Sequence, residues 1–445
     1  MRLAVFSPLP PSSSGIADYV AESLPALARH VDLEVVVEDP ATVDLPLGRV
    51  FPLRRAGDPV CADLRLYHIG NSPAHGWIYR EACGQPGVTV LHDWNLHHLV
   101  LHETLERGDL REYLRQMRRS HGELGSFVGR QVARGLGGEL LPARFAINDR
   151  VLDACLGLVA LTESLRARAA ERLPGDWPTL HLPHHVALPL EPLPSREQAR
   201  AALGLPSDAL IVTAPGLATA AKRLDLAIPA VARLRARLPG LRLVVAGAVE
   251  PRLPLEDWRR EAGLGEGLLV TGRLSLEDFI RHLCAADLVL ALRFPSHGEI
   301  SGALVRALGI GRVALVTGGT PAAEEFPEGV VVPVDPGAQE TAHLEALLET
   351  LIRSPELRRS IEGAARDHAR LYHDLDTGVA RLARFLAEVH GRAPELRQRL
   401  PRDADDDPLL HYLLQETRYA AHDLGLGGTH LGVEPLLAEL TGEAP

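Results

Sequence analysis

Leu288-Val289-Leu290-Ala291-Leu292-Arg293-Phe294-Pro295-Ser296-His297-Gly298-Glu299-Ile300-Ser301-Gly302-Ala303-Leu304-Val305-Arg306-Ala307-Leu308-Gly309-Ile310-Gly311 decides how the chain is read. Leu288–Leu292 is a short continuous apolar run, the pattern of a strand buried on both faces, and Val313–Val316 is another. Between them Leu304 and Leu308 stand four apart beside Ala303 and Ala307, which predicts one short helix with a closely packed face. Ser301 is the expected N-cap, and Gly309 or Gly311 the expected stop. Strand, loop, helix and strand together put Gly298–Gly302 at the C-terminal edge of a parallel sheet and at a helix N-terminus. Open α/β sheets bind ligands there, and free backbone N–H groups favour anions.

The surrounding chain has room for two such units. Its 445 residues suit two domains, and 46% hydrophobic with 24% charged residues describes a globular protein. A formal net charge of −11 and 4% aromatic residues give no footprint for nucleic acid. Cys61, Cys83, Cys155 and Cys284 are widely spaced, form no CxxC pair, and are expected to be small buried hydrophobes in a reducing compartment. No apolar run reaches the length of a membrane span, and Pro8 comes too soon for a signal peptide. The expected location is therefore cytoplasmic. Lys222 is the only lysine among 47 basic residues. Genome composition explains the arginines, whereas a lone flexible ammonium points to a different task.

In chain order, a first strand at Leu3–Ser7 leads through a Pro- and Ser-rich loop to Gly15 and a helix over Ile16–Arg29. Strands are expected near Leu33–Val37, Leu66–His68, Val88–Leu91 and Leu156–Leu161. Polar loops follow two of them, His68-Ile69-Gly70-Asn71-Ser72-Pro73-Ala74-His75 and His92-Asp93-Trp94-Asn95. Arg111, Arg115, Arg118 and Arg119 read as a solvated helix face, with an anionic acceptor or membrane headgroups as the other use. Pro183–Pro194 is the expected extended linker. The alternation then restarts: strand Leu210–Ala214, helix Lys222–Leu238, strand Leu241–Ala246, strand Leu268–Val270, the opening stretch, and a last strand at Val330–Val332. Helices follow from Glu340 to about Val389, then an acidic turn at Arg402–Asp407 and a helix over Leu409–Ala421.

From about Leu3 to His390 the chain resembles the retaining GT-B glycosyltransferases of family four, the glycosyl transferases group 1. The likeness is carried by Gly298-Glu299-Ile300-Ser301-Gly302, by Ala220-Ala221-Lys222-Arg223-Leu224-Asp225 and by Ser14-Gly15-Ile16-Ala17-Asp18. The resemblance implies two doubly wound Rossmann-like domains facing across a cleft. Residues 1–187, with a helical insertion, would take the acceptor, and residues 188–375 the nucleotide-sugar donor. Residues 376–445 would be C-terminal helices, the first crossing back to the N-terminal domain. The implied partners are a nucleotide-diphosphate sugar as co-substrate and a glycan, lipid-linked or small-molecule acceptor, with peripheral contact at the inner membrane face and no separate cofactor.

On that resemblance Lys222 stabilises the leaving diphosphate, Glu299 accepts from the sugar hydroxyls, and His92 stands at the reaction centre. Gly15, Arg223, Gly298, Ile300, Ser301, Gly302 and Arg306 line the donor, and Asn71, His75 and Asp93 the acceptor. The chain departs from the family twice. Arg306 stands where a second glutamate normally holds the ribose, and an arginine cannot accept from hydroxyls. Leu217, not an arginine, follows Gly216. A catalytically silent GT-B protein that binds a nucleotide sugar or a protein partner is the alternative. No metal is expected: His98 and His102 lack a third ligand of matching spacing, and Asp374, Asp376 and the Asp403–Asp407 run lie away from the sheet-edge loops.

Overall fold

The computed structural model describes residues 1–401 except 13, 45–47, 49 and 189–191. The acidic turn and the helix expected beyond residue 401 lie outside the described residues. The first sheet comprises β1 (Arg2–Phe6), β2 (Asp32–Val37), β3 (Leu53–Arg55), β4 (Leu64–Ile69), β5 (Gly87–Leu91), β6 (Cys155–Ala160) and β7 (Thr179–His181), in the order β3-β2-β1-β4-β5-β6-β7. The second comprises β8 (Leu210–Pro215), β9 (Leu241–Ala246), β10 (Leu268–Val270), β11 (Leu288–Ala291), β12 (Val313–Thr317) and β13 (Val332–Val334), in the order β10-β9-β8-β11-β12-β13. The pairings are parallel throughout, and helices cover both faces.

Burial on both faces is why the strands read as unbroken apolar runs. Leu3, Ala4, Val5 and Phe6 of β1, and all four residues of β11, are buried. Each fully buried Leu or Val contributes roughly 1.5–3 kcal/mol. Both sheets reverse strand order beside their first strand, between β1 and β4 and between β8 and β11. The loops after those four strands therefore open at the ligand-binding edges.

Several local expectations change. The helix after β11 runs from Gly302 to Ile310, and Gly311 ends it at φ 78°, while Gly309 stays inside. Ser301 holds the N-cap position but makes no side-chain capping bond. The segment after β8 is a single 3₁₀ turn at Ala220–Lys222, and the helix starts only at Leu224 because Arg223 is left-handed at φ 55°. The last strand lies two residues later than expected, with Val334 as its buried residue. β3 and β7, each three residues long, were too short to read from periodicity. Cys61 is exposed rather than buried.

The start of the expected linker, His184–Val186, is not a solvated spacer. His184 and His185 are buried, the His184 carbonyl accepts from His373 Nδ1 at 2.7 Å, and Val186 bridges Asp374. The helix Leu375–Arg399 lies against the first sheet, where a Cβ on Gly157 of β6 would stand 2.9 Å from Val389. Among the described residues no helix is long and apolar enough to cross a membrane.

Candidate functional site

After β8 the chain turns at Gly216, with φ 86°. A Cβ on Gly247 would stand 2.3 Å from the Gly216 carbonyl oxygen, so these two loops pack backbone to backbone. Lys222 folds back over this turn and its Nζ donates to the Pro215 carbonyl at 3.0 Å. The amide of Phe294 donates to the Ala221 carbonyl at 2.8 Å, which joins the Lys222 turn to the loop after β11.

Arg293 and Glu299 lie on that loop. Glu299 Oε2 accepts from the His297 amide at 2.6 Å and from Ser296 Oγ at 3.2 Å, and Oε1 stands 2.9 Å from Arg293 Nε. Burial pushes the half-buried Lys222 ammonium down to about 7, Arg293 adds to this, and Glu299 opposes it. Lys222, Arg293 and Glu299 thus share one field at the edge of the second sheet. Lys222 and Glu299 both hang from the second sheet, within the residues 188–375 expected on the donor side.

What faces them from the first sheet is the loop after β5. The Asn95 amide donates to the His297 carbonyl at 2.8 Å. Gly298 has φ 89°, and a Cβ there would stand 2.6 Å from Trp94 Cβ, so this glycine admits Trp94 to the Glu299 loop. Asp93 is pushed up to about 7 by burial, with the Glu299 carboxylate adding to it, and the Asn71 amide and Arg293 opposing. Its Oδ2 accepts from that Asn71 amide at 2.7 Å.

Behind Asp93 lies a layer of neutral rings. His92 Nε2 is 3.1 Å from His68 Nδ1, and His92 meets Tyr19 edge-on with centroids 5.2 Å apart. Tyr19 stacks on His185 and lies against His184. Burial holds His92 and His184 well below the usual histidine range and His68 at about 3. His184 also stands at the N-terminus of the helix Gly302–Ile310, where a Cβ on Gly302 would meet its ring at 3.2 Å. The first N–H groups of that helix have no intrahelical partners.

The other expected residues divide. Gly15 opens the helix Gly15–Leu27 with free space around it. Ile300 is buried beside the Glu299 loop. Arg223 pairs with Glu340 at 3.1 Å and lies over the Phe294 ring, which leaves it bracing the loop. Arg306, expected on the donor side, is buried, pairs with Glu22 and donates to the Ala187 carbonyl, which leaves it joining the linker to the first helix. His75 is buried, with Nδ1 3.1 Å from the His68 carbonyl. The Asn71 side chain is taken by His98 and by the Leu99 amide, so it positions Asp93 and the helix His97–Glu103.

His98 and His102 bond Glu139 and Glu106, Asp376 pairs with Arg29, and no metal-holding cluster occurs among the described residues. Arg293, Tyr19 and His184 were missed as site residues. Arg293 was detectable as the first charge after the β11 run, whereas the ring layer joins residues from four distant segments.

Residues 195–368 match the family model described as Glycosyl transferases group 1. A D-inositol 3-phosphate glycosyltransferase of Saccharomonospora viridis is 32% identical over 192 residues, 40% of this chain and 43% of that protein. The enzyme of the same name from Mycolicibacterium smegmatis is 27% identical over 268 residues, 57% of this chain and 58% of that protein. The chain thus spans about half the length of these curated relatives. Among solved structures, HepE of Anabaena in complex with UDP and glucose superposes with a TM-score of 0.59 at 15% identity, covering 87% of this chain and 100% of that one. Sucrose-phosphate synthase from Thermosynechococcus elongatus gives 0.60 at 15% identity, covering 88% and 99%. Residues 195–368 are therefore a match to the glycosyl transferases group 1, set in a chain whose two sheets have the GT-B fold.

Proposed function

We propose that this protein is a retaining glycosyltransferase that moves a sugar from a nucleotide-diphosphate sugar to a hydroxyl acceptor in the cytoplasm. The observation that supports it best is the meeting of Lys222, Arg293 and Glu299 on one sheet edge, opposite Asp93 on the other. When the bond between the anomeric carbon and the phosphate oxygen breaks, negative charge grows on the diphosphate. Lys222, Arg293 and the N-terminus of the helix Gly302–Ile310 supply positive charge and N–H groups placed in advance, which is where electrostatic catalysis is strongest.

Glu299 holds the sugar hydroxyls. The acceptor oxygen bonds to the anomeric carbon on the face the phosphate leaves, and its proton passes to the departing phosphate oxygen. Asp93 and the His92 layer then have the task of seating the acceptor. With two cations from the chain on the leaving group, no metal is required for that charge.

The test is a panel of nucleotide sugars offered with hydroxyl acceptors, with NMR of the product's anomeric configuration. UDP-sugars come first because the HepE structure holds UDP and glucose, and D-inositol 3-phosphate is among the acceptors because the relatives' names contain it. Lys222→Ala and Glu299→Gln should each lower turnover about 10²- to 10³-fold with the fold intact. Donor binding without turnover for every acceptor would favour the catalytically silent reading, and an inverted product would overturn retention.

A further inference from the structure

Asn71 decides which nitrogen of His98 carries the ring proton. The Leu99 amide can only donate, so the Asn71 atom that it meets at 3.1 Å is Oδ1, and the Asn71 NH2 group faces His98 Nδ1 at 3.2 Å. Nδ1 must then accept, which leaves the proton on Nε2. That N–H donates to Glu139 Oε2 at 2.9 Å. The backbone amide of the same Asn71 holds Asp93 Oδ2 at 2.7 Å, and the His98 ring meets His297 of the Glu299 loop edge-on, with centroids 5.0 Å apart. His98 therefore stands between the Asp93 and Glu299 loops, with a fixed N–H turned to Glu139.

Exposed pairs of this kind are ordinarily worth little, but here the two partners are unequal. The His98 side chain is 29% exposed and that of Glu139 74%. Glu139 ends the stretch Arg134-Gly135-Leu136-Gly137-Gly138-Glu139, in which Gly135, Gly137 and Gly138 are left-handed, at φ 76°, 86° and 48°. Residues 133–140 are exposed throughout, and a Cβ on Gly135 or Gly138 would meet nothing within 4 Å. Packing thus restrains the Glu139 carboxylate only weakly, and among the described residues His98 is its hydrogen-bond partner.

A fixed N–H facing a movable carboxylate recognises one kind of group above others. A hydroxyl both accepts and donates, so it can insert between them, accepting from His98 Nε2 and donating to Glu139. One bond would become two of about 2.8 Å each, so Glu139 must retreat by roughly one bond length, which the glycine-rich loop permits. A phosphate or carboxylate only accepts and would meet the Glu139 charge, and an apolar group would strip both partners. We propose that His98 and Glu139 form a hydroxyl-reading subsite, which selects an uncharged polyol, such as a sugar ring, over an anion at this position. The subsite stands on its own geometry; that its ligand is the acceptor, gripped by a hydroxyl other than the reacting one, rests on the glycosyl-transfer reading.

Proton–nitrogen correlation spectra of the imidazole rings in the full chain test it, with His98 assigned by its loss in His98→Gln. The free chain should show His98 protonated at Nε2, and protonation at Nδ1 would overturn the subsite. Methyl glycosides of glucose, galactose and mannose, at millimolar concentrations, are the probes. At least one should shift the His98 signals; no shift with any of them would overturn the subsite. Glu139→Ala and His98→Ala should each weaken that probe about tenfold, and the two together little more than either alone, because one hydroxyl bridges the pair. Additive losses would overturn the bridge, and so would tighter binding by Glu139→Ala, which would make Glu139 a competitor of the ligand. Glu139→Gln keeps an acceptor oxygen and should bind close to the parent, whereas a tenfold loss there would show that charge is read instead. Melting temperatures, expected to be unchanged for the exposed Glu139→Ala, separate lost binding from lost fold.

In transfer assays Glu139→Ala and His98→Ala should raise the acceptor KM about tenfold. Glycoside-induced shifts at His98 in a chain that transfers no sugar would sink the glycosyl-transfer reading alone. Sugar transfer without such shifts would sink the subsite alone.

Discussion

Arg306 and Glu22 form an ion pair in which both side chains are almost wholly removed from solvent, and it ties the helix after the Glu299 loop to the first helix of the chain. Glu22 also accepts from the Ala187 amide at 3.0 Å, and Arg306 donates to the Ala187 carbonyl, so the linker is held in the same knot. Removing one partner leaves a buried charge alone. Arg306→Met or Glu22→Gln should therefore destabilise the fold by about 3–5 kcal/mol in denaturant titrations. The double variant Glu22→Met with Arg306→Met should recover much of that loss. A raised donor KM for Arg306→Met at unchanged stability would instead return the arginine to the nucleotide.

On the proposed reading, Lys222 should make donor binding depend on pH. A diphosphate needs the ammonium form, and burial with the neighbouring Arg293 pushes the free group down to about 7. Donor affinity should be flat below that pH and fall as pH rises above it, with a proton taken up on binding. Titration calorimetry in buffers of different ionisation enthalpy measures this uptake. Lys222→Arg should flatten the profile, because a guanidinium stays charged throughout.

The ring layer sets an acid limit on stability. Burial lowers His68 and His185 to about 3 and His75 to about 4, and holds His92 and His184 further down. Between these values and about 6.5 the unfolded chain binds protons that the folded one does not. Stability is thus complete above about 6.5 and is lost as pH falls, by up to about 1.4 kcal/mol per pH unit for each ring. Thermal melts from neutral to mildly acid pH should show a steep decline that His185→Asn makes shallower. A flat profile would count against the buried placement.

Gly298→Ala probes the contact between lobes. The added carbon would stand 2.6 Å from Trp94 Cβ at a φ of 89°, so the loop must shift. A stability loss of about 1–3 kcal/mol is expected. Turnover should fall further than that loss explains, since Glu299 follows directly. Activity equal to the parent at full folding would show that the contact does not position Glu299.

The sheets were legible because buried parallel strands cannot hide their composition: Leu288–Leu292 is apolar at every position, and Val88–Leu91 at every position but Thr89. The sheet edge that carries Lys222 and Glu299 was legible for the same reason, since a polar group just after such a run has one place to be. Arg306 was not, because its partner Glu22 lies 284 residues away and nothing local distinguishes a buried arginine from one that meets a ligand. His184 and His185 read as linker because proline content signals extension, and extension does not tell which side chains are covered. Asn71 and His75 share a strand-end loop with solvent-facing positions, and only the packed neighbours separate brace from contact.

The hydrogen bond from Asn95 to His297 carries a thermodynamic consequence. One end belongs to the loop that presents Asp93, the other to the loop that presents Glu299, so neither loop can relax without a response in its counterpart. On the proposed reading, whatever free energy a sugar nucleotide spends in ordering this junction is returned to the second ligand, and linkage makes the exchange equal in both directions. On that reading each substrate should bind more tightly once the other is seated, through this single peptide contact.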